Sequence, residues 1–422
     1  MRILIVDPGV HSKGGHHYNA VLRLQNELEK LGLSAPCLGS AYADTQVVRD
    51  LACTPTFTKS VYGRSYASAG EFDEFVEETS RNFAQALARH GRKADLLILP
   101  CCDQVLAASV ARTFGRTRFR SAPSVLLWLL YGPHYLLSTD DPRARELGAE
   151  CRDAFAELTA RLGGPHRLHV YSETQQLADF YRPLIGLEVG AMPAPGLLMP
   201  ARGPRHRAGD RPPTVLCIGF ANRPKGYGLL PEAIEQVLGH RDVRFLIHGI
   251  VKGSDAEDDQ PIFDRLATLD DRVTVRQDVL SDRDYATLLG EADLLLLPYD
   301  PAVYRTRGSG VFTDARKIGL PVVATGTAAF AGPAFEQGWG VAIAEHSASG
   351  VAAAVLTALE RLDDLTSRAA AIAERGPDEL GPLLQKIVAE IQSEKAHGLA
   401  GTVRRLLGRD TAPRRRPGLL GL

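Results

Sequence analysis

Residues 292–325 read ADLLLLPYDPAVYRTRGSGVFTDARKIGLPVVAT, and this stretch decides the fold. The unbroken apolar run Leu294–Leu297 ends at a proline, which is typical of a strand buried on both faces of a parallel sheet. A polar loop, a Gly-Ser-Gly turn at 308–310, a helix that ends at Gly319 and a second apolar strand follow. A helix that starts after such a turn presents free N–H groups and partial positive charge, which suit a phosphate. The stretch predicts a phosphate-binding turn or, alternatively, an ordinary βαβ unit.

Five residues of this stretch are candidate donor-site residues. We expect the N–H groups of Ser309, Gly310 and Val311, at the helix start, to hold a diphosphate. Arg307 lies just before the turn and adds positive charge that favours the same anion. Asp314 lies one turn into the helix, where its carboxylate could accept hydrogen bonds from sugar or ribose hydroxyls.

The composition is that of a globular protein with a sizeable core. The 422 residues suggest two or three domains, and 45% of them are hydrophobic. The net charge of −1 favours neither nucleic acid nor a membrane as a general partner. Six cysteines without zinc-type spacing predict buried thiols, no metal site and a reduced, cytoplasmic setting. We expect no signal peptide and no membrane-spanning helix, because no sufficiently long apolar run occurs.

Strands and helices alternate along both halves of the chain. Apolar strands are predicted at 3–6, 96–99, 124–130, 168–171, 188–191, 214–218, 243–248, 273–276, 294–297 and 320–324. This alternation predicts the α/β class, with two Rossmann-like, doubly wound parallel sheets that face a cleft. The predicted division is a first domain at 1–195, a Pro/Gly/Arg-rich linker at 196–213, a second domain at 214–375, a final helix at 376–395 that packs back on the first domain, and a tail at 396–422. Residues 38–70 show no clear period, so we expect a loop there that lies near the cleft and could touch an acceptor.

Several polar or flexible residues follow predicted strands directly. Gly14 and Gly15 follow the first strand, His134 follows the strand at 124–130, and Arg223 and Lys225 follow the strand at 214–218. In an open α/β sheet, ligands bind beyond the carboxyl ends of the strands. These residues are therefore candidates for ligand contact, although each on its own could equally be an ordinary loop residue.

Taken together, the motifs of the chain resemble those of GT-B-fold glycosyltransferases, specifically the retaining family-four type, group 1, that builds bacterial glycans and glycolipids. The resemblance covers roughly residues 1–395 and is strongest over 214–345. It is carried by GGHHYNAVLRLQNELEKLG, LLYGPH, VYSETQQLADFY, PKGYGLLPEAI, and SDRDYATLLGEADLLLLPYD running into GSGVFTDARKIGLPVVATG. The resemblance implies that the second domain binds most of a nucleotide-sugar donor and that the acceptor comes from the first domain.

The resemblance also implies roles for single residues. Gly14 and Gly15 correspond to the glycine loop that faces the donor diphosphate. Lys225 corresponds to the phosphate-binding lysine, with Arg223 assisting it, and His134 to the catalytic residue near the reacting sugar.

Three positions differ from what that family usually has, two of them in a Glu-x7-Glu motif and one at a basic residue that follows a strand. Asp314 stands where the second Glu, which binds ribose, is expected, and Thr306 stands where the first Glu is expected. Phe220 replaces a basic residue that often follows the strand glycine. Nucleotide binding is therefore expected, while the contacts to the donor sugar must differ from the family pattern. The candidates to replace the missing carboxylate are Asp300, Tyr304, Arg305 and Arg307.

The sequence thus predicts a glycosyltransferase that moves a sugar from a UDP-, GDP- or ADP-linked donor to a glycan or lipid-linked acceptor. The resemblance implies retention of configuration and no requirement for a metal or other cofactor. Two alternatives are a nucleotide-sugar 2-epimerase, for which no acid–base pair is evident, and a GT-B protein that binds a nucleotide or glycan without catalysis. The missing carboxylate at Thr306 keeps the last of these alternatives open.

The tail at 396–422 carries six arginines and one aspartate, with leucines between them. A basic amphipathic segment of this kind can lie on an anionic membrane surface. The tail therefore predicts peripheral attachment at the inner face of the plasma membrane, or alternatively a solvated, disordered end.

Overall fold

The computed structural model describes residues 1–13, 15–60, 66–90, 94–116, 122–133, 142–193, 211–221, 223–251, 256–375 and 380–407. Within these ranges the chain forms two parallel sheets, one of seven strands and one of six. Apolar clusters cover both faces of each sheet, so each sheet is wound on two sides. The predicted α/β class with two doubly wound parallel sheets is confirmed.

The first sheet contains the strands β1 (Ile3–Val6), β2 (Cys37–Ser40), β3 (Cys53–Phe57), β4 (Leu96–Cys102), β5 (Ser124–Leu129), β6 (Leu168–Ser172) and β7 (Val189–Ala191). Their order in the sheet is β3-β2-β1-β4-β5-β6-β7, and every pair is parallel. Its helices are α1 (Gly15–Lys30), α2 (Thr45–Asp50), α3 (Ala69–His90), α4 (Gln104–Arg116), α5 (Pro142–Leu162) and α6 (Gln175–Ile185). The central strands β1, β4 and β5 are buried along their whole length, which explains their continuous apolar runs.

The second sheet contains the strands β8 (Thr214–Ala221), β9 (Arg244–Val251), β10 (Val273–Arg276), β11 (Leu294–Leu297), β12 (Val322–Thr325) and β13 (Gly340–Ile343). Their order is β10-β9-β8-β11-β12-β13. The helices that follow are α7 (Leu230–Leu238), α8 (Ala256–Ala267), α9 (Asp282–Glu291), α10 (Pro301–Tyr304), α11 (Gly310–Ile318), α12 (Gly332–Glu336), α13 (Ala348–Glu360), α14 (Leu362–Glu374) and α15 (Leu380–Leu407). The neighbours β8 and β11 lie at the centre of this sheet, so the loops after them meet at its carboxyl edge.

The prediction of a loop over 38–70 is wrong. The strands β2 and β3 and the short helix α2 occupy much of that stretch and extend the first sheet at one edge. These elements have four to six residues each, too few to show a period, and β3 contains Pro55. Proline is tolerated there because β3 is an edge strand, but it hides the strand from a reading of the sequence.

The final helix also differs from its predicted extent. The backbone of α15 continues to Leu407 instead of ending at residue 395. Leu384 and Ile387 of α15 are buried with Leu24 and Leu28 of α1, so this helix packs on the first domain. Among the described helices, none combines the length and apolar character needed to cross a bilayer.

Candidate functional site

The two domains meet at the loops that follow β6 and β11. The Thr174 hydroxyl donates a hydrogen bond of 2.6 Å to the Thr306 carbonyl oxygen. Two residues further along, the Gly308 N–H donates to the Glu173 carboxylate at 3.2 Å. A Cβ at Gly308 would lie 2.4 Å from Glu173 Oε2, so only glycine permits this approach. The Gly-Ser-Gly turn is therefore held directly against the first domain.

Glu173 is a functional candidate that the sequence analysis missed. Burial raises the pKa of Glu173 to about 7, and the Arg307 charge and the Gly308 N–H oppose that rise. Glu173 stands just before Thr174, which caps α6 by accepting a hydrogen bond from the Leu177 N–H. A carboxylate at the end of a strand and next to a helix cap was the available signal.

Two of the residues suggested as replacements for the carboxylate at 306 have structural roles. Asp300 caps α10 by accepting a hydrogen bond of 2.8 Å from the Ala302 N–H. Tyr304 is buried and stacks with Tyr299. The described carboxylate that does reach this loop is Glu173, which comes from the other domain.

The start of α11 has the geometry expected from the sequence. Ser309 is the N-cap, and its hydroxyl oxygen accepts a hydrogen bond of 3.3 Å from the Phe312 N–H. Gly310 and Val311 form the first turn, whose N–H groups have no acceptor within the helix itself. These N–H groups lie directly after the loop at the centre of the second sheet, where an anion would be favoured.

Lys225 lies in a short 3-10 turn, Arg223–Lys225, after β8. Its Nζ is 5.8 Å from the centroid of the Tyr299 ring, and a Cβ at Gly219 would lie 2.5 Å from it. The lysine is therefore folded back over the ends of β8 and β11. Burial lowers the pKa of Lys225 to about 8, because the ammonium charge is poorly solvated there.

Arg307 joins this cationic region, whereas Arg223 is exposed at its margin. The Arg307 guanidinium carbon is 5.4 Å from the centroid of the Tyr304 ring. Arg307 further lowers the pKa of Lys225, and it also acts electrostatically on His16 of the first domain. Arg223 is exposed at the start of the 3-10 turn. Lys225 and Arg307 thus come together beside the start of α11, and Arg307 is also close enough to the first domain to act on His16.

Asp314 is more enclosed than a simple helix-start charge. It is 5% exposed, and the Tyr285 hydroxyl of α9 donates a hydrogen bond of 3.1 Å to its Oδ2. Its Oδ1 lies 3.8 Å from Lys317 Nζ and has no hydrogen-bond partner among the described residues. Burial raises the pKa of Asp314 to about 6. Ribose binding by Asp314 would therefore require Tyr285 or Lys317 to move aside.

The predicted residues of the first domain are only partly described. Gly14 and His134 lie outside the described residues, and Gly15 is the first residue of α1. The same helix carries His17, whose Nδ1 lies 2.9 and 3.0 Å from the two oxygens of buried Asp7. This pair is an acid–base arrangement that the sequence analysis did not find.

Residues 212–361 match a family model described as "Glycosyl transferases group 1". The range contains all six strands of the second sheet and the candidate residues Lys225, Arg307 and Asp314. No curated protein sequence matches the chain.

Solved structures resemble the chain over nearly its whole length. A glycosyltransferase from Rickettsia africae ESF-5 superposes with a TM-score of 0.65 at 12% identity, covering 93% of this chain and 98% of the other. The catalytic domain of starch synthase IV from Arabidopsis thaliana, bound to ADP and acarbose, gives 0.63 at 13% identity, covering 93% and 99%. A putative UDP-N-acetylglucosamine 2-epimerase from Listeria monocytogenes gives 0.53 at 12% identity, covering 93% and 96%. At such identities the likeness shows the fold alone, which transferases and an epimerase share. The chain therefore has the two-domain GT-B fold, with a group 1 glycosyl transferase domain at residues 212–361.

Proposed function

We propose that the protein is a glycosyltransferase that moves a sugar from a nucleotide-sugar donor to a glycan or lipid-linked acceptor. The observation that carries this proposal is the cationic edge of the second sheet. Lys225 and Arg307 converge there beside the first turn of α11, within the segment that matches the group 1 family model. A lysine whose charge is poorly solvated because it is buried is well suited to a bound diphosphate.

The chemistry follows from the charge of the leaving group. As the bond between the sugar and the diphosphate breaks, negative charge grows on the phosphate oxygens. Lys225, Arg307 and the N–H groups at the start of α11 stabilise that charge electrostatically. The resemblance supports retention of configuration and transfer that needs no metal or other cofactor, and both are part of the proposal.

Glu173 is the proposed contact to the donor sugar. Glu173 belongs to the first domain, but its carboxylate contacts the loop of the second domain that carries the proposed diphosphate site. A carboxylate has several acceptor positions, so Glu173 can accept hydrogen bonds from sugar hydroxyls in addition to the one from the Gly308 N–H. Glu173 would therefore do the work of the carboxylate that Thr306 does not supply.

The basic tail supports a lipid-linked acceptor, or one held at a membrane. Attachment of its arginines to an anionic surface would keep the enzyme close to such an acceptor. The proposed location is thus the cytoplasmic face of a membrane, with peripheral attachment.

The first test is a thermal-shift screen with UDP-, GDP- and ADP-sugars. A ligand at a hundred times its dissociation constant should add about 2.7 kcal/mol to the free energy of unfolding. Lys225→Ala should lose most of the stabilisation, whereas Arg241→Ala, which removes an exposed arginine paired with Glu360, should keep it. A screen in which no nucleotide sugar stabilises the wild type would contradict the proposal.

A nucleotide-sugar 2-epimerase is the second candidate, because His17, held by Asp7, is a group that could move a proton in such a reaction. Incubation of the stabilising nucleotide sugar without an acceptor separates the candidates. A transferase releases free sugar slowly by hydrolysis, an epimerase yields the epimer, and a protein that only binds leaves the nucleotide sugar intact.

A further inference from the structure

A cluster of metal-ligand side chains lies at the carboxyl edge of the first sheet. His16 and His17 stand at the start of α1, which follows β1, and Cys101 stands near the end of the neighbouring strand β4. One ligand atom from each of the three residues lies within 4.8 Å of the other two. We propose that His16, His17 and Cys101 bind one zinc ion.

The spacing is close to that of a zinc site. Zinc–nitrogen and zinc–sulfur bonds of about 2.0–2.3 Å place tetrahedral ligand atoms roughly 3.3–3.8 Å apart. Closure around an ion therefore needs atomic shifts of about 1 Å. The Cys101 side chain is fixed by burial and the His17 ring is held by Asp7, whereas His16 is exposed, so rotation of the His16 imidazole can supply most of the shift. The backbone can keep its place.

A supporting carboxylate is already present behind one ligand. Asp7 is 1% exposed, and its carboxylate is hydrogen-bonded to Nδ1 of His17. It also accepts a hydrogen bond of 2.9 Å from the Gly9 N–H. Gly9 is needed here, because a Cβ would lie 2.3 Å from Cε1 of the His17 ring. A carboxylate on Nδ1 fixes the tautomer and makes Nε2 the nitrogen that binds a metal, as in many zinc sites. This observation is independent of the proximity of the three ligands.

The chemistry of the ligands selects the class of metal. A thiolate and two imidazoles suit zinc and related transition metals, and they are poor ligands for magnesium or calcium. The negative charges of Asp7 and Glu173 help to raise the pKa of Cys101, and the positive charge of Arg307 helps to lower the pKa of His16. The Asp7 carboxylate beside His17 favours a cation here, and binding would release the thiol proton. Three protein ligands leave a fourth position for water or for a ligand oxygen in the cleft.

The test uses the full chain, first stripped of metal with a chelator. After equilibrium dialysis against zinc, elemental analysis should find one zinc per chain. Cys101→Ser and His16→Ala should each weaken zinc binding by at least about tenfold, and Asp7→Asn by about 10–100-fold. His240→Ala and Cys217→Ser, which alter an exposed histidine and a cysteine of the other sheet, should bind zinc as the wild type does.

Cobalt substitution shows directly whether the Cys101 thiolate binds the metal, which a purely structural role of Cys101 would not produce. The cobalt-loaded wild type should show a thiolate-to-cobalt charge-transfer band, and Cys101→Ser should lack it. Zinc content no higher than background, or zinc binding unchanged in His16→Ala, would overturn the proposal. His16→Ala keeps the test decisive if the buried Cys101 variant fails to fold, because His16 is exposed. Metal content does not depend on sugar transfer, so this test can fail without affecting the proposed function.

Discussion

We expect nucleoside-diphosphate binding to weaken as the pH rises through about 8, because Lys225 loses its charge there. Burial lowers the pKa of this lysine from its ordinary 10.5 to about 8, and Arg307 adds to the effect. Negative phosphate oxygens beside the ammonium would offset the effects of burial and of Arg307 and raise the pKa of Lys225 again. Binding above pH 8 must then take up a proton at Lys225.

The magnitude follows from linkage. If the bound lysine is fully charged, affinity falls by up to about tenfold for each pH unit above 8. The shift from 10.5 to about 8 corresponds to roughly 3 kcal/mol. Solvent reaches this half-buried side chain and reduces that value. The contribution of Lys225 to the stability of the free protein has the opposite trend. At this residue the folded state binds fewer protons than the unfolded state between pH 8 and 10.5, so the contribution of Lys225 to the free energy of unfolding rises with pH across that window.

Titration calorimetry in two buffers with different ionisation enthalpies measures both affinity and proton uptake. Lys225→Arg should flatten the pH profile, because a guanidinium stays charged throughout. Lys225→Ala should weaken diphosphate binding by roughly 1.5–3 kcal/mol at neutral pH and leave nucleoside binding nearly unchanged. The reasoning fails if the wild type takes up no proton above pH 8, or if Lys225→Ala binds the diphosphate as tightly as the wild type.

Four further predictions concern the sugar, the ribose and the membrane. Asp314→Asn should lower affinity for the normal donor but not for a 2′,3′-dideoxy donor, and equal losses in calorimetry with both donors would remove its ribose role. Glu173→Gln should lower turnover at least about tenfold and leave diphosphate affinity within about twofold, whereas loss of diphosphate affinity would mean that Glu173 only supports the Gly308 loop. His134→Ala should also lower turnover with donor affinity intact, and unchanged kinetics would exclude its catalytic role. Removal of the chain after Ala396 should abolish salt-sensitive co-sedimentation with anionic vesicles, since each basic residue contributes about 1 kcal/mol at such a surface, and equal sedimentation of both forms would refute this role.

The elements that could be predicted from the sequence are those that the core itself determines. Leu294–Leu297 forms β11 as predicted, because a strand with helices on both sides of its sheet must be apolar at every position. Of the strands that escaped prediction, β2 is buried but has only four residues, two of them Gly39 and Ser40, whereas β3 and β13 lie at sheet edges, where partial exposure breaks the apolar run. The edge strand β3 mixes buried Cys53 and Phe57 with a proline, and β13, at an edge of the other sheet, is mostly half-buried or exposed.

In the candidate site, features that depend on neighbouring residues could be predicted from the sequence, whereas contacts between distant residues could not. The Ser309 cap and the position of Lys225 after β8 follow from the local sequence, and both are found. The Glu173–Gly308 contact joins residues 135 positions apart, so no spacing rule indicates it. Likewise, the local pattern that suggested Asp314 as a ribose ligand gave no sign of the Tyr285 hydroxyl that occupies one of its oxygens.

The contact between Glu173 and Gly308 has a consequence for how the candidate site is assembled. The cations and helix start that suit a diphosphate belong to the second domain, whereas the carboxylate on the same loop belongs to the first. Separation of the domains would therefore leave the diphosphate-binding groups in place and remove the carboxylate from the loop. Under the proposed function, a nucleoside diphosphate would need the second domain alone, whereas the sugar would meet Glu173 only when the domains are together. Binding energy from the sugar would then hold the domains closed and couple donor recognition to exclusion of water from the site between them.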